Sequence, residues 1–181
     1  MKRILTLVIF AFLFSTTLLA QEENIPLPEF INSFYAINNN NLLPLESQEG
    51  KLDIKTKSKF FSVSSSSSYR FNKLKSDVRF TSKTITLIYE PQESIDPSQS
   101  VRVVKLFTDD KTNSRLYNMM DMNISVLGSK TNTENDNKTI PFNYKKHKGK
   151  YIIIELNNLE QGEYGLYTIS PMKMQLFGVD F

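Results

Sequence analysis

The chain has no cysteine, no tryptophan and a single histidine, His147, in 181 residues. Without cysteine there is no disulfide framework, no thiol nucleophile and no lipidated cysteine behind a leader. One histidine excludes a His-rich metal site, because zinc centres normally gather several nitrogen or sulfur ligands. The chain also lacks the indole ring best suited to stacking on sugars. Neither sign of charge dominates. The formal net charge of +3 includes Lys2 and Arg3, and no acid occurs in the first twenty residues. Loss of that segment brings the chain close to neutrality, which leaves no electrostatic footprint for nucleic acid. G-x-S-x-G, P-loop and G-x-G-x-x-G patterns are absent as well.

What is present begins at the N-terminus. Lys2 and Arg3 precede an uncharged, largely apolar run from Ile4 to Leu19, which closes at Ala20 before Gln21-Glu22-Glu23. A charged start, an apolar stretch and a small residue before a polar switch predict a signal peptide over residues 1–20. The run falls short of a comfortable membrane span, and no stop-transfer segment follows, so no stable span is expected after cleavage. An exported chain without disulfides relies on its core alone, which requires adequate size. The remaining length suffices for one domain. Export without cysteine fits a bacterial envelope, with a periplasmic or extracellular location.

Residues 21–50 read differently from the rest. Pro28 and Glu29 are suited to opening a short helix, and Phe30, Ile31, Phe34 and Tyr35 recur on one helical face. The expectation is an apolar N-terminal arm, with or without one short helix, docked on a main domain over 51–181. From Lys51 onward the period is two. Leu52, Ile54 and Thr56 alternate with Lys51, Asp53 and Lys55, and Ile85, Leu87 and Tyr89 repeat the pattern. Val101–Leu106 and the apolar run Tyr151–Leu156 read as buried strands. Further short candidates alternate with turn clusters such as Pro91–Pro97, Thr108–Ser114 and Asn157–Gly162. Many short strands without interleaved helices predict an all-β, antiparallel β-sandwich.

Near the C-terminus, Leu159-Glu160-Gln161-Gly162-Glu163-Tyr164 leads into a strand that precedes a final hairpin. This resembles the tyrosine corner of immunoglobulin-like sandwiches, in which a tyrosine near the start of the penultimate strand bonds back to upstream backbone. The resemblance implies an immunoglobulin-like architecture and makes Tyr164 the structural corner. It implies no activity.

Candidate chemistry is sparse. His147 sits in Lys145-Lys146-His147-Lys148, where surrounding cations disfavour its charged form and nothing orients it as a base. Glu90, Glu93, Asp96, Asp109, Asp110, Asp121 and Glu155 are available for a carboxylate hydrolase, yet no spacing singles out a pair. Asp109-Asp110 with Asn113, and Asn132, Glu134 and Asp136, offer oxygen ligands that turn chemistry explains equally well. Met119, Met120, Met122, Met172 and Met174 suit adaptable packing better than Cu(I). The Ser64–Ser68 run reads as a flexible loop or a polar edge. Around it lie Phe60, Phe61, Tyr69, Arg70 and Phe71, the best candidate ligand or partner surface, since flat rings give contact area with little loss of entropy. The expected function is a non-catalytic exported binding or structural module, with no cofactor and a protein partner. The alternative is a glycan-binding or glycan-processing accessory module.

Overall fold

The computed structural model describes residues 25–125, 128–132 and 139–181. The leader expected over residues 1–20 lies outside them. The structure is all-β. Its strands are β1 (Tyr35–Asn38), β2 (Asn41–Pro44), β3 (Glu46–Glu49), β4 (Lys51–Lys59), β5 (Ser62–Asn72), β6 (Arg79–Phe80) and β7 (Ile85–Tyr89). After the short helix α1 (Pro97–Ser100) come β8 (Arg102–Asp109), β9 (Ser114–Ser125), β10 (Gly128–Asn132), β11 (Phe142–His147), β12 (Tyr151–Leu156), β13 (Gly162–Tyr167) and β14 (Lys173–Val179). One sheet runs β11-β12-β7-β1-β2. The other runs β3-β14-β13-β8-β9-β5-β4, with β10 added beside β9 and β6 beside β14. Pairing among these strands is antiparallel except for the two-residue contact of β6 with β14, and Ile31 adds an isolated parallel bridge to Glu90.

Both sheets contribute to the main core. Phe34, Leu87, Ile152 and Ile154 of the smaller sheet and its lead-in meet Val103, Tyr164, Leu166, Phe177 and Val179 of the larger one. The opposite face of the smaller sheet is apolar too, with Tyr35, Ile88, Tyr151 and Ile153 packed against Ile25. Strands apolar on both sides explain why Tyr151–Leu156 reads as a near-continuous hydrophobic run; in Ile85–Tyr89, read as alternating, Ile88 also fills the second face.

Residues 28–37 do not form the helix that their spacing allows. Phe34 and Ala36 enter the main core, whereas Tyr35 lies on the other face. Asn39 and Asn40 take left-handed φ values of 45° and 63°. That conformation makes the tight connection that antiparallel strands favour, so the asparagine run folds a hairpin rather than capping a helix. The segment 25–50 also does more than dock. It supplies β1 to the smaller sheet and β3 to the larger, and the Gln175 side chain ties it down by donating to Asn32 O at 2.7 Å and accepting from Phe34 N–H at 2.6 Å.

Gly50, where the composition changes, is a pivot rather than a boundary. Strands β3 and β4 stand at opposite ends of the larger sheet yet are separated in the chain by this one residue. The sheet therefore curls round on itself, as a half-barrel. Its concave side holds Phe71, Val104, Leu106, Tyr117, Met174 and Leu176. A Cβ on Gly50 would stand 2.9 Å from two ring carbons of Phe71, so only glycine lets the strand pass that close.

Candidate functional site

The five aromatic-cluster residues are not brought together. Strands β4 and β5 form a long hairpin with nine paired positions from Lys51↔Arg70 to Lys59↔Ser62. Phe60 and Phe61 make the two-residue connection at its end, and Tyr69, Arg70 and Phe71 sit at its base. About 3.4 Å per residue puts roughly 27 Å between the groups. Phe71 is wholly buried under Gly50, and Tyr69 packs half-buried against the same cluster. Arg70 points to the opposite face, where it donates to Asp53, to Ser114 Oγ at 2.7 Å and to Thr112. These three therefore build the base of the hairpin. Phe60 and Phe61 remain available, 96% and 70% exposed, with ring centroids 5.6 Å apart edge to face.

The serine run is neither a loop nor an edge. Ser64–Ser68 lies within β5, hydrogen-bonded between β4 and β9. Serine is a weak strand former, but neighbours on both sides satisfy its backbone and override that preference. A register shift at Ser67/Ser68 places Met119 as the extra residue of β9. Such a bulge twists the strand locally.

The register separates the two faces of this extension. Leu52, Ile54, Val63, Met120, Met122 and Ile124 share one face, because directly opposed residues point the same way. That face continues inward through Tyr69 and Tyr117 to the half-barrel cluster. The other face of β4 carries Lys51, Asp53, Lys55, Lys57 and Lys59. No residue between Lys51 and Ser68 belongs to the buried core, and Leu52, Ile54, Val63 and Ile124 are all exposed. An amphipathic sheet thus extends away from the packed domain with its apolar face uncovered. Sequence reasoning identified the alternation that puts Leu52 and Ile54 on one face and the charges on the other, but not what covers the apolar face. On β5 this face carries Ser67 opposite Ile54 and Ser65 opposite Thr56, which offer little apolar surface to cover it.

The remaining candidates have local roles. Tyr164 donates its hydroxyl to Glu160 O at 2.7 Å and accepts from Glu160 N–H at 3.1 Å, with its ring stacked on Phe177. Glu93 and Asp96 line one cleft with Tyr144 and Lys150. Asp96 caps α1 by accepting from Ser98 N–H and Ser98 Oγ, and it accepts from Tyr144 Oη at 2.8 Å. The Ser98 contacts first, then Tyr144, hold its carboxyl below the usual range, which suits an ionised cap and not a proton donor. Asp109 serves its own turn in the same way, accepting from Lys111 N–H at 3.1 Å. The loop with Glu134 and Asp136 lies outside the described residues. Among those described, no group of three His, Asp or Glu side chains is placed to hold a metal. His147 ends β11, partly buried, and Met174 is core.

One cluster escaped sequence reasoning. Arg115, fully buried, lies 3.2 Å from Glu46 and 3.6 Å from Glu163, and it donates to Asn72 O at 2.9 Å. Arg79 reaches Glu163 at 2.7 Å and also pairs with Asp180. The five groups come from positions 46 to 180, so no local pattern could reveal them. No protein-family model matches this chain, and comparison with the curated proteins finds no match.

Proposed function

We propose that this chain is an exported, non-catalytic binding or structural module of a bacterial envelope, periplasmic or extracellular, which engages a protein partner through the uncovered face of its β4–β5–β9 extension. Its architecture is read as an antiparallel sandwich of immunoglobulin-like type. The sheets that share the main core and the Tyr164 hydroxyl bonded back to Glu160 support that reading. The observation that carries the function is the set of exposed apolar side chains on one face of hydrogen-bonded strands, Leu52 with Ile54 on β4 and Val63, Met120 and Ile124 on β5 and β9. Large apolar side chains left exposed together on one face mark an interaction site. The glycan alternative loses support, since Tyr69, Arg70 and Phe71 are used internally and two rings set edge to face offer no flat platform.

The test is capture from detergent-solubilised envelope by the immobilised chain lacking residues 1–20. The double substitution Leu52→Lys and Ile54→Lys changes two exposed positions, so the melting temperature should hold while the captured protein is lost. An unchanged partner set, or no captured protein with the unaltered chain, overturns the reading.

A further inference from the structure

We propose that the β4–β5 connection is a membrane-docking tip, which seats Phe60 and Phe61 in the surface of a bilayer carrying anionic lipids. This goes beyond partner binding by the sheet face, although it rests on the same reading of the extension as the working part of the molecule. Phe60 is the most exposed of the large hydrophobic side chains described, and Phe61 stands beside it. Both occupy the far end of a fully paired hairpin, so the fold holds the rings outward and away from the core. A free loop would hide two phenylalanines by collapsing onto the domain; a nine-pair ladder prevents that.

Charge complementarity identifies the occupant. Lys55, Lys57 and Lys59 lie on one face of β4 directly behind the rings, and no acid occurs in the chain between Asp53 and Asp77. Asp53 pairs with Arg70 and also lies 3.7 Å from Lys55, whose side chain is still half exposed. On the neighbouring strands Asp121 pairs in register with Ser66, level with Lys55 and behind Lys57 and Lys59, and Lys130 pairs with Asn123. The extension is therefore cationic near its tip while the chain without its first twenty residues is close to neutral. Apolar side chains entering the headgroup boundary together with lysines facing anionic lipid are the two components of reversible surface binding. The paired backbone of β4 and β5 stays at headgroup depth, so no unsatisfied peptide group enters hydrocarbon. A second copy fits less well. Two rings from each of two copies bury about 800 Å² in total, short of the roughly 1,000 Å² that a specific protein interface needs.

The absence of tryptophan makes the test direct. Phe60→Trp in the chain lacking residues 1–20 provides a single tryptophan at the tip, which long-wavelength excitation separates from the eight tyrosines. Vesicles rich in phosphatidylglycerol should shift its emission to the blue and co-sediment the protein, whereas phosphatidylcholine vesicles should do so weakly. Phe60→Ser with Phe61→Ser should lower the partition by at least about ten-fold, as the loss of two interfacial rings requires. Replacing Lys55, Lys57 and Lys59 by glutamine should cost about five-fold per residue on anionic vesicles, and added salt should mimic it. Binding that survives the double serine change, or a tip tryptophan that stays solvent-exposed on anionic vesicles, overturns the proposal. So does a tip-dependent dimer in sedimentation without vesicle binding. Failure on vesicles while Leu52 and Ile54 still govern partner capture overturns the tip and leaves the sheet-face reading standing.

Discussion

At the scale of single residues, the polar atoms that matter are those buried beside backbone. The Tyr164 ring lies in the main core and its hydroxyl serves both polar groups of Glu160, which closes the approach to β13. Loss of a hydroxyl bonded in this way costs about 1 kcal/mol. Tyr164→Phe should therefore lower the denaturation free energy by about that amount, and an unchanged urea midpoint would show that the hydroxyl contributes nothing. Arg115 is a different case. Its guanidinium is enclosed with Glu46 and Glu163, and a buried charge is tolerated only with such partners. Nothing in the residues around Arg115 announces this, because its partners lie 69 and 48 positions away in the chain.

At the scale of elements, Gly50 decides where one run of extended chain changes sheet edge. Its N–H donates to Met172 O at 2.6 Å, and the space for a side chain is taken by Phe71. Phe71 is fully buried and cannot swing away. Gly50→Ala should destabilise by about 1–3 kcal/mol through overpacking, read as a lower melting temperature with an unaltered β-type circular dichroism spectrum. A wild-type melting temperature would mean that the strand junction relaxes freely. The hairpin β1–β2 and the serine strand β5 teach the same lesson from opposite sides. Phe30, Ile31, Phe34 and Tyr35 have a spacing compatible with a helix, yet two-sided burial and the Asn39-Asn40 turn put Tyr35 and Ala36 in a strand. Ser64–Ser68 lacks strand propensity, yet pairing with β4 and β9 imposes one.

At the scale of the whole molecule, the ion network joins β3, β6, β9 and β13 to the residue after β14. Burial by itself would raise the Glu46 carboxyl, but hydrogen bonds from Ser76 and Arg115 outweigh it and hold the group below its ordinary value. Asp180 is lowered chiefly by its hydrogen bonds to Arg79. Both groups bind protons less readily in the folded state than in the unfolded one. Their stabilisation is therefore complete above the ordinary carboxylate range and is lost as pH falls through their depressed folded values. Denaturant midpoints should be level near neutrality and fall on acidification below about pH 5. Glu46→Gln should flatten part of that fall, and a profile level down to pH 3 would remove the network from the acid response.

The sequence by itself determined the all-β class, the positions of most strands and the poverty of reactive side chains, because alternation and composition are local properties. It also identified the tyrosine whose hydroxyl turns back to the backbone, since that contact spans only four residues. Only the tertiary structure decided that Tyr69, Arg70 and Phe71 belong to the base of a hairpin while Phe60 and Phe61 stand at its end. It alone left the Leu52–Ile54 face uncovered and gathered Arg115 with Glu46 and Glu163. Those outcomes depend on which strands become neighbours, and partner choice is set by packing across the whole chain rather than by any single segment.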